Sequence, residues 1–277
     1  MKDRRAAELL RRFSRKGYRA VAAITSGNTG YSLGFLARAY DMKDVNVFSV
    51  VDENTDGRIL EQLGSVSTVI KTNLSERLLT SKDVINLVRE KTGYAGSIAD
   101  ASNTSFSWVD SYFAICSEIF SGIQGETGRS PHHIIVPVGS GELFVSFDVA
   151  LLEFESSAAL IGVTVSSNPI SELSGSAYKN TNSQSIADKL SACFAPMMND
   201  VQRSLSHSNK TISGLRKIIV AEEGRIAETY AFLKNKLHLS VEPSSAAAFV
   251  ALDDLKGKVH KQDIVVVVNT GRGLFFD

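Results

Sequence analysis

Short, continuous runs of aliphatic residues are the feature that most restricts the fold of this chain. Ile264–Val268 and Leu160–Val165 are examples, and most of their positions are apolar on both faces. A strand that is exposed to water on one face alternates, so continuous runs predict strands covered on both faces, as in parallel sheets. The predicted strands are Ala20–Ile24, Val45–Val51, Thr68–Lys71, Ile134–Val138, Leu160–Val165, Ile218–Val220 and Ile264–Val268.

Segments with helical spacing alternate with these strands. In the second of them, Leu33, Leu36 and Tyr40 recur on one face. Alternation of strands and helices predicts an α/β protein with parallel sheet and crossover helices. The 277 residues are enough for two compact lobes or one large domain. The predicted helices are Asp3–Lys16, Gly30–Tyr40, Asn54–Leu63, Leu74–Lys91, Phe106–Ser121, Glu142–Phe154, Glu222–Leu237 and Ser244–Leu255.

The composition argues against several classes of protein. The chain has 30 basic and 30 acidic residues, and no run of like charge indicates a nucleic-acid or membrane surface. Its two cysteines are not a disulfide framework, and its five histidines lack the spacing of metal ligands. No signal peptide or apolar run of membrane-spanning length is visible. We therefore expect a cytoplasmic protein with no metal, no nucleic-acid partner and no membrane partner.

A polar turn, Thr25–Gly30, joins the first predicted strand to a helix. It places hydroxyl and amide side chains beside a glycine. Unpaired backbone N–H groups and the positive end of the helix dipole favour a bound anion at such a position, for example a carboxylate or a phosphate. An ordinary connection with a serine or asparagine cap explains the same residues. The turn alone leaves both interpretations open.

A second turn, Gly139–Leu143, also joins a predicted strand to a helix. Its glycines would allow backbone N–H groups to surround a phosphate. The lysine of a P-loop is absent, and Phe144 stands where a dinucleotide fingerprint has its third glycine. A tight connection is the alternative. We expect Glu142 to point outward, because a carboxylate beside a phosphate costs free energy.

The last predicted strand ends just before Thr270. Ligands of open α/β sheets bind at the carboxyl ends of the strands, so this hydroxyl is a candidate ligand contact. The alternative is a threonine that only hydrogen-bonds its own turn.

Three strand-end loops of this kind, in this order, resemble the tryptophan-synthase-β family of pyridoxal-phosphate enzymes. Thr25–Gly30 resembles the family's substrate-carboxylate loop, and Gly139–Leu143 its cofactor-phosphate loop. Asn269–Leu274 resembles the loop that supplies a hydroxyl to the pyridine nitrogen. Glu242–Ala248 is similar to a Glu-Pro-Ser-Gly-Ala stretch of the family, and Lys2–Arg4 to the Lys-Asp-Arg that opens its first helix. The resemblance covers nearly the whole chain.

The resemblance implies fold type II, an α/β architecture of two open, twisted, mostly parallel sheets with helices on both faces. It implies a small domain at 5–104 and a large cofactor-binding domain formed by 1–4 and 105–277. Members of the family carry a further segment before the lysine. An N-terminal part of the large domain is therefore expected to be missing from this chain.

The resemblance also implies roles for individual residues. Pyridoxal 5'-phosphate is the implied cofactor, and Lys2 is implied to hold it as a Schiff base and to act as general base at the substrate α-carbon. Asn28 is implied to bind the ring hydroxyl, and Thr270 the pyridine nitrogen. The phosphate is implied to lie among Gly139, Ser140, Gly141, Glu142 and Leu143. The substrate carboxylate is implied to bind Thr25, Ser26, Gly27 and Thr29.

A neutral threonine at the ring nitrogen implies a lyase or a replacement reaction at the β- or γ-carbon of a small amino acid. The residues at 137–139 and 270–274 are most like threonine synthases, which gives the leading hypothesis. The sequence Thr25–Gly30 matches cysteine synthases, so β-replacement is an alternative. A non-catalytic relative that binds a small anion or a partner protein, and an unrelated nucleotide- or sugar-phosphate-binding domain, are further alternatives. A homodimer is the assembly that the resemblance implies.

Overall fold

A computed structural model describes residues 2–102, 109–179, 185–208 and 214–271 of the chain. The chain divides into two compact units, Met1–Ser105 and Phe106–Asp277. Each unit contains one four-stranded sheet with helices. The predicted assignment of 1–4 to a large domain with 105–277 stays a prediction.

All strands of the first unit are parallel, in the order β3-β2-β1-β4. Such neighbours need crossover connections, and helices supply them. The strands are β1 (Ala20–Ile24), β2 (Asn46–Asp52), β3 (Thr68–Thr72) and β4 (Ile98–Asp100). The helices are α1 (Lys2–Arg15), α2 (Asn28–Ala39), α3 (Gly57–Gly64) and α4 (Ser81–Thr92).

Both faces of this first sheet are covered. One face packs Ala22 and Val50 against Val84 and Val88 of α4. On the opposite face α2 lies so close that a Cβ at Gly30 would approach the Ser49 hydroxyl to 2.5 Å. Coverage on both faces is the reason that most residues of β1 and β2 are buried.

The second unit repeats this architecture in the order β7-β6-β5-β8, again with parallel strands. Its strands are β5 (His133–Pro137), β6 (Ala159–Val165), β7 (Arg216–Ala221) and β8 (Val265–Val267). Its helices are α5 (Val109–Thr127), α6 (Glu142–Glu153), α7 (Met198–Leu205), α8 (Glu223–Asn235) and α9 (Pro243–Leu255), with a 3-10 helix at Pro169–Ser174.

The central strand β6 is buried at every residue. Its side chains at Ile161 and Val163 face α9, where Ala247 and Ala251 are fully buried. On the other face, a Cβ at Gly162 would meet the ring of Phe144 from α6 at 2.9 Å. Two covered faces explain why the sequence of β6 is a continuous apolar run.

The predicted fold class is confirmed, with two sheets of four parallel strands each. All seven predicted strands exist, and their ends differ from the prediction by at most two residues. The strand β4 was not predicted, because Ile98–Asp100 is too short to give a pattern. The predicted helix Leu74–Lys91 begins instead at Ser81, because Thr80 and Asp83 form a capping box there. Residues 106–108 of another predicted helix lie outside the described residues.

No helix in the described part of the chain has both the length and the apolar character needed to cross a membrane. Within the same residues, no group of three or more histidine, cysteine, aspartate or glutamate side chains could hold a metal ion.

The two cysteines are expected to differ sharply in reactivity. Burial raises the pKa of the Cys116 thiol to about 12, whereas Cys193 is exposed. Only the thiolate is nucleophilic, so iodoacetamide at pH 8 should modify Cys193 alone in the folded protein. Peptide mass spectrometry before and after unfolding in urea checks this. Rapid labelling of Cys116 without denaturant would contradict the burial.

Candidate functional site

Thr25 builds the polar turn after β1. Its hydroxyl oxygen accepts hydrogen bonds from the backbone N–H groups of Gly27, at 3.0 Å, and Gly30, at 3.1 Å. Its own N–H donates to the carbonyl of Val50 in β2 at 2.9 Å, which extends the strand pairing by one residue. Thr25 is buried, and Ser26 beside it is exposed. The hydroxyl of Thr25 therefore fixes the shape of the turn from inside.

The N-terminus of α2 offers unused hydrogen-bond donors. Its N-cap residue is Gly27, and no side chain caps the helix. Within the described ranges, the backbone N–H groups of Asn28 and Thr29 and the side-chain amide of Asn28 have no hydrogen-bond partner. Free donors at the positive end of a helix dipole favour a small anion. The geometry agrees with an anion-binding turn.

Lys2 is the first residue of α1 and is half-buried. This helix packs against α2, the helix that begins at the polar turn. Leu9 and Leu10 of α1 are buried in the first unit. Lys2 therefore belongs to a helix that contacts α2, the helix that begins at the turn Thr25–Gly30.

The second turn follows β5 and has room only for glycine. Gly141 is in the left-handed conformation with φ 98°, and a Cβ there would lie 2.8 Å from side-chain atoms of Met197 and Val201. A Cβ at Gly139 would lie 2.7 Å from the carbonyl oxygen of Lys189. The loop is thus shaped by close approach of the chain at 189–201.

The carbonyl groups of this loop are held by other parts of the second unit. The amide of Asn168 donates to the Gly139 carbonyl at 2.9 Å and to the Leu190 carbonyl at 2.5 Å. The N–H of Met197 donates to the carbonyl of Ser140 at 3.3 Å. In the part of the chain that the structure describes, the N–H groups of Gly139, Ser140 and Gly141 have no acceptor. The loop therefore presents donors at the N-terminus of α6.

Glu142 does not point outward as expected. It is the first residue of α6 and only 6% exposed. The expectation was wrong because it treated this helix end as a surface, whereas the chain around Met197 and Val201 packs against the adjacent Gly141. Leu143, which follows it, is half-buried.

Thr270 lies three residues after β8, and its hydroxyl contacts Ser245 of α9. The two side-chain oxygens are 2.6 Å apart, and Ser245 is fully buried. The same region is closed by a hydrogen bond of 3.0 Å from the N–H of Glu242 to the carbonyl of Gly271. The strands β5 and β8 are parallel neighbours, so Gly139 and Thr270 follow the same edge of the sheet.

Sequence reasoning missed two residues of this second unit. Asn168 lies in a stretch rich in serine and asparagine, and no sequence pattern distinguishes it from its neighbours. Ser245 lies inside the stretch Glu242–Ala248 that carried part of the resemblance, but its position opposite Thr270 requires the tertiary structure. Residues 272–274 of the Asn269–Leu274 loop lie outside the described residues.

A sequence model of the family described as "Pyridoxal-phosphate dependent enzyme" matches residues 1–271. No curated protein matches. Among solved structures, a hydrogen sulfide-producing enzyme from Fusobacterium nucleatum is 19% identical and matches with a TM-score of 0.74 over 99% of this chain and 86% of that one. Serine racemase from Dictyostelium discoideum is 18% identical, with a TM-score of 0.71 over 98% and 83%. The processed form of threonine deaminase isoform 2 from Solanum lycopersicum is 15% identical, with a TM-score of 0.72 over 99% and 76%. These likenesses establish the fold.

Proposed function

Since the chain belongs to the family of pyridoxal-phosphate-dependent enzymes, we propose that it is a threonine synthase-like lyase or replacement enzyme acting on a small amino acid. When bound, the cofactor supplies an electron sink for bonds at the substrate α-carbon. The chain's own residues must then hold the cofactor and the substrate and must move protons.

The loop Gly139–Leu143 fits the phosphate of this cofactor. Its unused N–H groups at Gly139, Ser140 and Gly141 lie at the N-terminus of α6, where the helix dipole also favours a negative charge. We assign Gly139, Ser140, Gly141, Glu142 and Leu143 to the phosphate. The backbone N–H groups do the binding in this assignment.

The amine of Lys2 is assigned to attach the cofactor and to move the proton at the substrate α-carbon. An amine does both because it is a nucleophile when neutral and a proton donor when charged. The support is the place of Lys2 at the start of a helix packed on α2.

The substrate carboxylate is assigned to the turn before α2. Ser26, Gly27 and Thr29 are assigned to this carboxylate, with the N–H of Thr29 as a backbone donor. Thr25 holds the turn in shape by accepting the N–H groups of Gly27 and Gly30. Asn28 is assigned to the ring hydroxyl of the cofactor.

The pairing of Thr270 with Ser245 is the observation that carries the proposed reaction class. Two hydroxyls at 2.6 Å offer the pyridine nitrogen a neutral partner. An aspartate there would hold a proton on the ring nitrogen, and a hydroxyl does not. With Thr270 there, the bound cofactor would be a weaker electron sink, which supports elimination or replacement over transamination.

Turnover with two classes of substrate tests the reaction. The protein loaded with pyridoxal 5'-phosphate is incubated with O-phosphohomoserine, which has its leaving group on the γ-carbon, or with O-acetylserine and sulfide, which react at the β-carbon. Formation of threonine from the first supports the proposal. Formation of cysteine from the second alone replaces it with a cysteine-synthase-type activity, which the residues of Thr25–Gly30 favour.

Replacing Gly141 by alanine should weaken cofactor binding through the phosphate. The added Cβ would lie 2.8 Å from Met197 and Val201 in a conformation with φ 98°. Because charge-assisted hydrogen bonds are strong, we expect about a tenfold or larger loss of affinity for pyridoxal 5'-phosphate and little change for pyridoxal, which lacks the phosphate. Absorbance titration with both compounds measures this difference.

The matched control is Gly175→Ala, because Gly175 has a similar φ of 81° and open space around its Cα. Equal losses of affinity in the two variants would mean that backbone strain is responsible, and not the close packing around Gly141.

A cytoplasmic location and a homodimer stay predictions.

A further inference from the structure

The first turn of α1, which begins at Lys2, is tied to the rest of its unit by side chains. The hydroxyl of Ser32 donates a hydrogen bond of 2.5 Å to Asp3 Oδ1, across 29 residues of sequence. We propose that Ser32 is a positioning residue that fixes Lys2 through Asp3. The inference rests on the proposed function, in which Lys2 carries the cofactor.

Ser32 is well placed for this task. It is buried in α2, four residues after Asn28, so the two side chains lie on the same face of the helix. The hydrogen bond thus joins the residue next to Lys2 to the helix face that begins at the anion-binding turn. A displacement of α1 along α2 would break it.

A second hydrogen bond, made by Arg5, confines the effect of losing the Ser32 hydroxyl to the first turn of α1. The guanidinium of the buried Arg5 donates a hydrogen bond of 3.2 Å to the carbonyl of Ala101. Ala101 in turn donates from its N–H to the carbonyl of Ala22 in β1 at 2.6 Å. Further along α1, the buried side chains of Leu9 and Leu10 anchor the helix. Loss of the Ser32 hydroxyl therefore frees the first turn while the helix stays packed.

The first turn of a helix needs a side-chain hydrogen bond of this kind when one of its residues is a reactive group. Its N–H groups have no partners within the helix, and helix ends open more readily than their centres. A reactive group has to be held within about 0.5 Å of its productive position. The hydrogen bond between Ser32 and Asp3 supplies that order one residue from Lys2.

The first experiment measures order without the cofactor. Hydrogen exchange of the amides of 6–9, whose helical hydrogen bonds end at the carbonyls of the first turn, is compared in the parent protein, Ser32→Ala and Ser81→Ala. Ser81 is a matched control, because its hydroxyl also donates to an aspartate, Asp100, at 2.7 Å in the same unit, and neither residue belongs to α1 or α2. We expect exchange of the amides of 6–9 to become about tenfold faster in Ser32→Ala only, because their acceptors are the carbonyls of the first turn.

The second experiment measures the reactivity of Lys2. Each variant is mixed with pyridoxal 5'-phosphate, reduced with borohydride at timed intervals, and digested to quantify the labelled Lys2 peptide. Because a small misplacement of a reacting group costs one to two orders of magnitude, labelling in Ser32→Ala should be about tenfold slower or more. Asp3→Asn keeps an oxygen acceptor for Ser32 and should label like the parent, whereas Asp3→Ala should be slow.

The outcomes separate the two claims. Slow labelling in Ser32→Ala and Asp3→Ala, with parent-like labelling in Asp3→Asn and Ser81→Ala, supports the positioning role. A parent protein that labels at Lys2 while Ser32→Ala labels equally fast overturns this inference and leaves the proposed function standing. A parent protein that never labels at Lys2 overturns the proposed function and this inference with it. If Ser32→Ala and Ser81→Ala are equally destabilised by heat and do not differ in labelling, Ser32 has only a structural role. That result also overturns the inference.

Discussion

Replacing Lys2 by alanine should abolish covalent attachment of the cofactor and lower turnover by about a thousandfold, the size of effect expected when a positioned acid–base group is lost. The loop Gly139–Leu143, to which we assign the phosphate, is unchanged in this variant, so noncovalent binding of pyridoxal 5'-phosphate should persist. Borohydride reduction followed by peptide mapping measures attachment, and steady-state kinetics measures turnover. In this variant, no peptide should carry the reduced cofactor.

Lys16→Ala is the control for this experiment. Lys16 follows the last turn of α1 and is exposed, so its loss removes one positive charge from the same helix region without touching the proposed chemistry. Full turnover in Lys2→Ala would refute the role of Lys2. A parent protein that binds the cofactor noncovalently, and does so equally in Lys2→Ala, would favour the non-catalytic relative.

The strands were predictable because their physical cause lies in the sequence itself. A strand such as β6, buried on both faces, can only be built from a continuous apolar run. The strand β4 was missed because three residues, Ile98–Asp100, are held by backbone pairing with β1 and not by a pattern of their own. Helix starts were misplaced where a capping side chain decides the boundary, as Asp56 does for α3.

The loops of the candidate site were predictable, but their supports were not. Glycine-rich turns at strand ends can be found in a sequence because their shape demands glycine. Asn168 donates to the carbonyl of Gly139, from which it is separated by 29 positions in the sequence. Ser245 contacts Thr270, which lies 25 positions further along the chain. A single polar residue at such a distance leaves no local signal. The segment that packs against Gly141, next to the buried Glu142, likewise lies more than fifty residues away, at 197–201.

The helix α6, which begins in the loop Gly139–Leu143, is also held by a buried ion pair. Breaking this pair should cost more stability than any other single polar change proposed for this chain. Asp148 of α6 is 1% exposed and accepts a hydrogen bond of 2.7 Å from Arg216 Nε. Arg216 also donates to the carbonyls of Ala158 and Gly214, both at 2.9 Å, and His207 lies 2.8 Å from the second carboxylate oxygen. The carboxylate therefore joins α6 to β7 and to the end of α7.

Asp148→Ala should lower the free energy of unfolding by about 3–5 kcal/mol, because it leaves the charge of Arg216 buried without its counter-ion. Urea unfolding of the cofactor-free protein, followed by circular dichroism, measures the change. The control is Asp200→Ala, which removes an ion pair with Arg203 at 3.0 Å whose side chains are 23% and 61% exposed. An exposed pair of this kind contributes about 0–1 kcal/mol. If the two variants lose equal stability, the pair at Asp148 does not hold α6, and the position of the phosphate loop must depend on apolar packing and on Asn168.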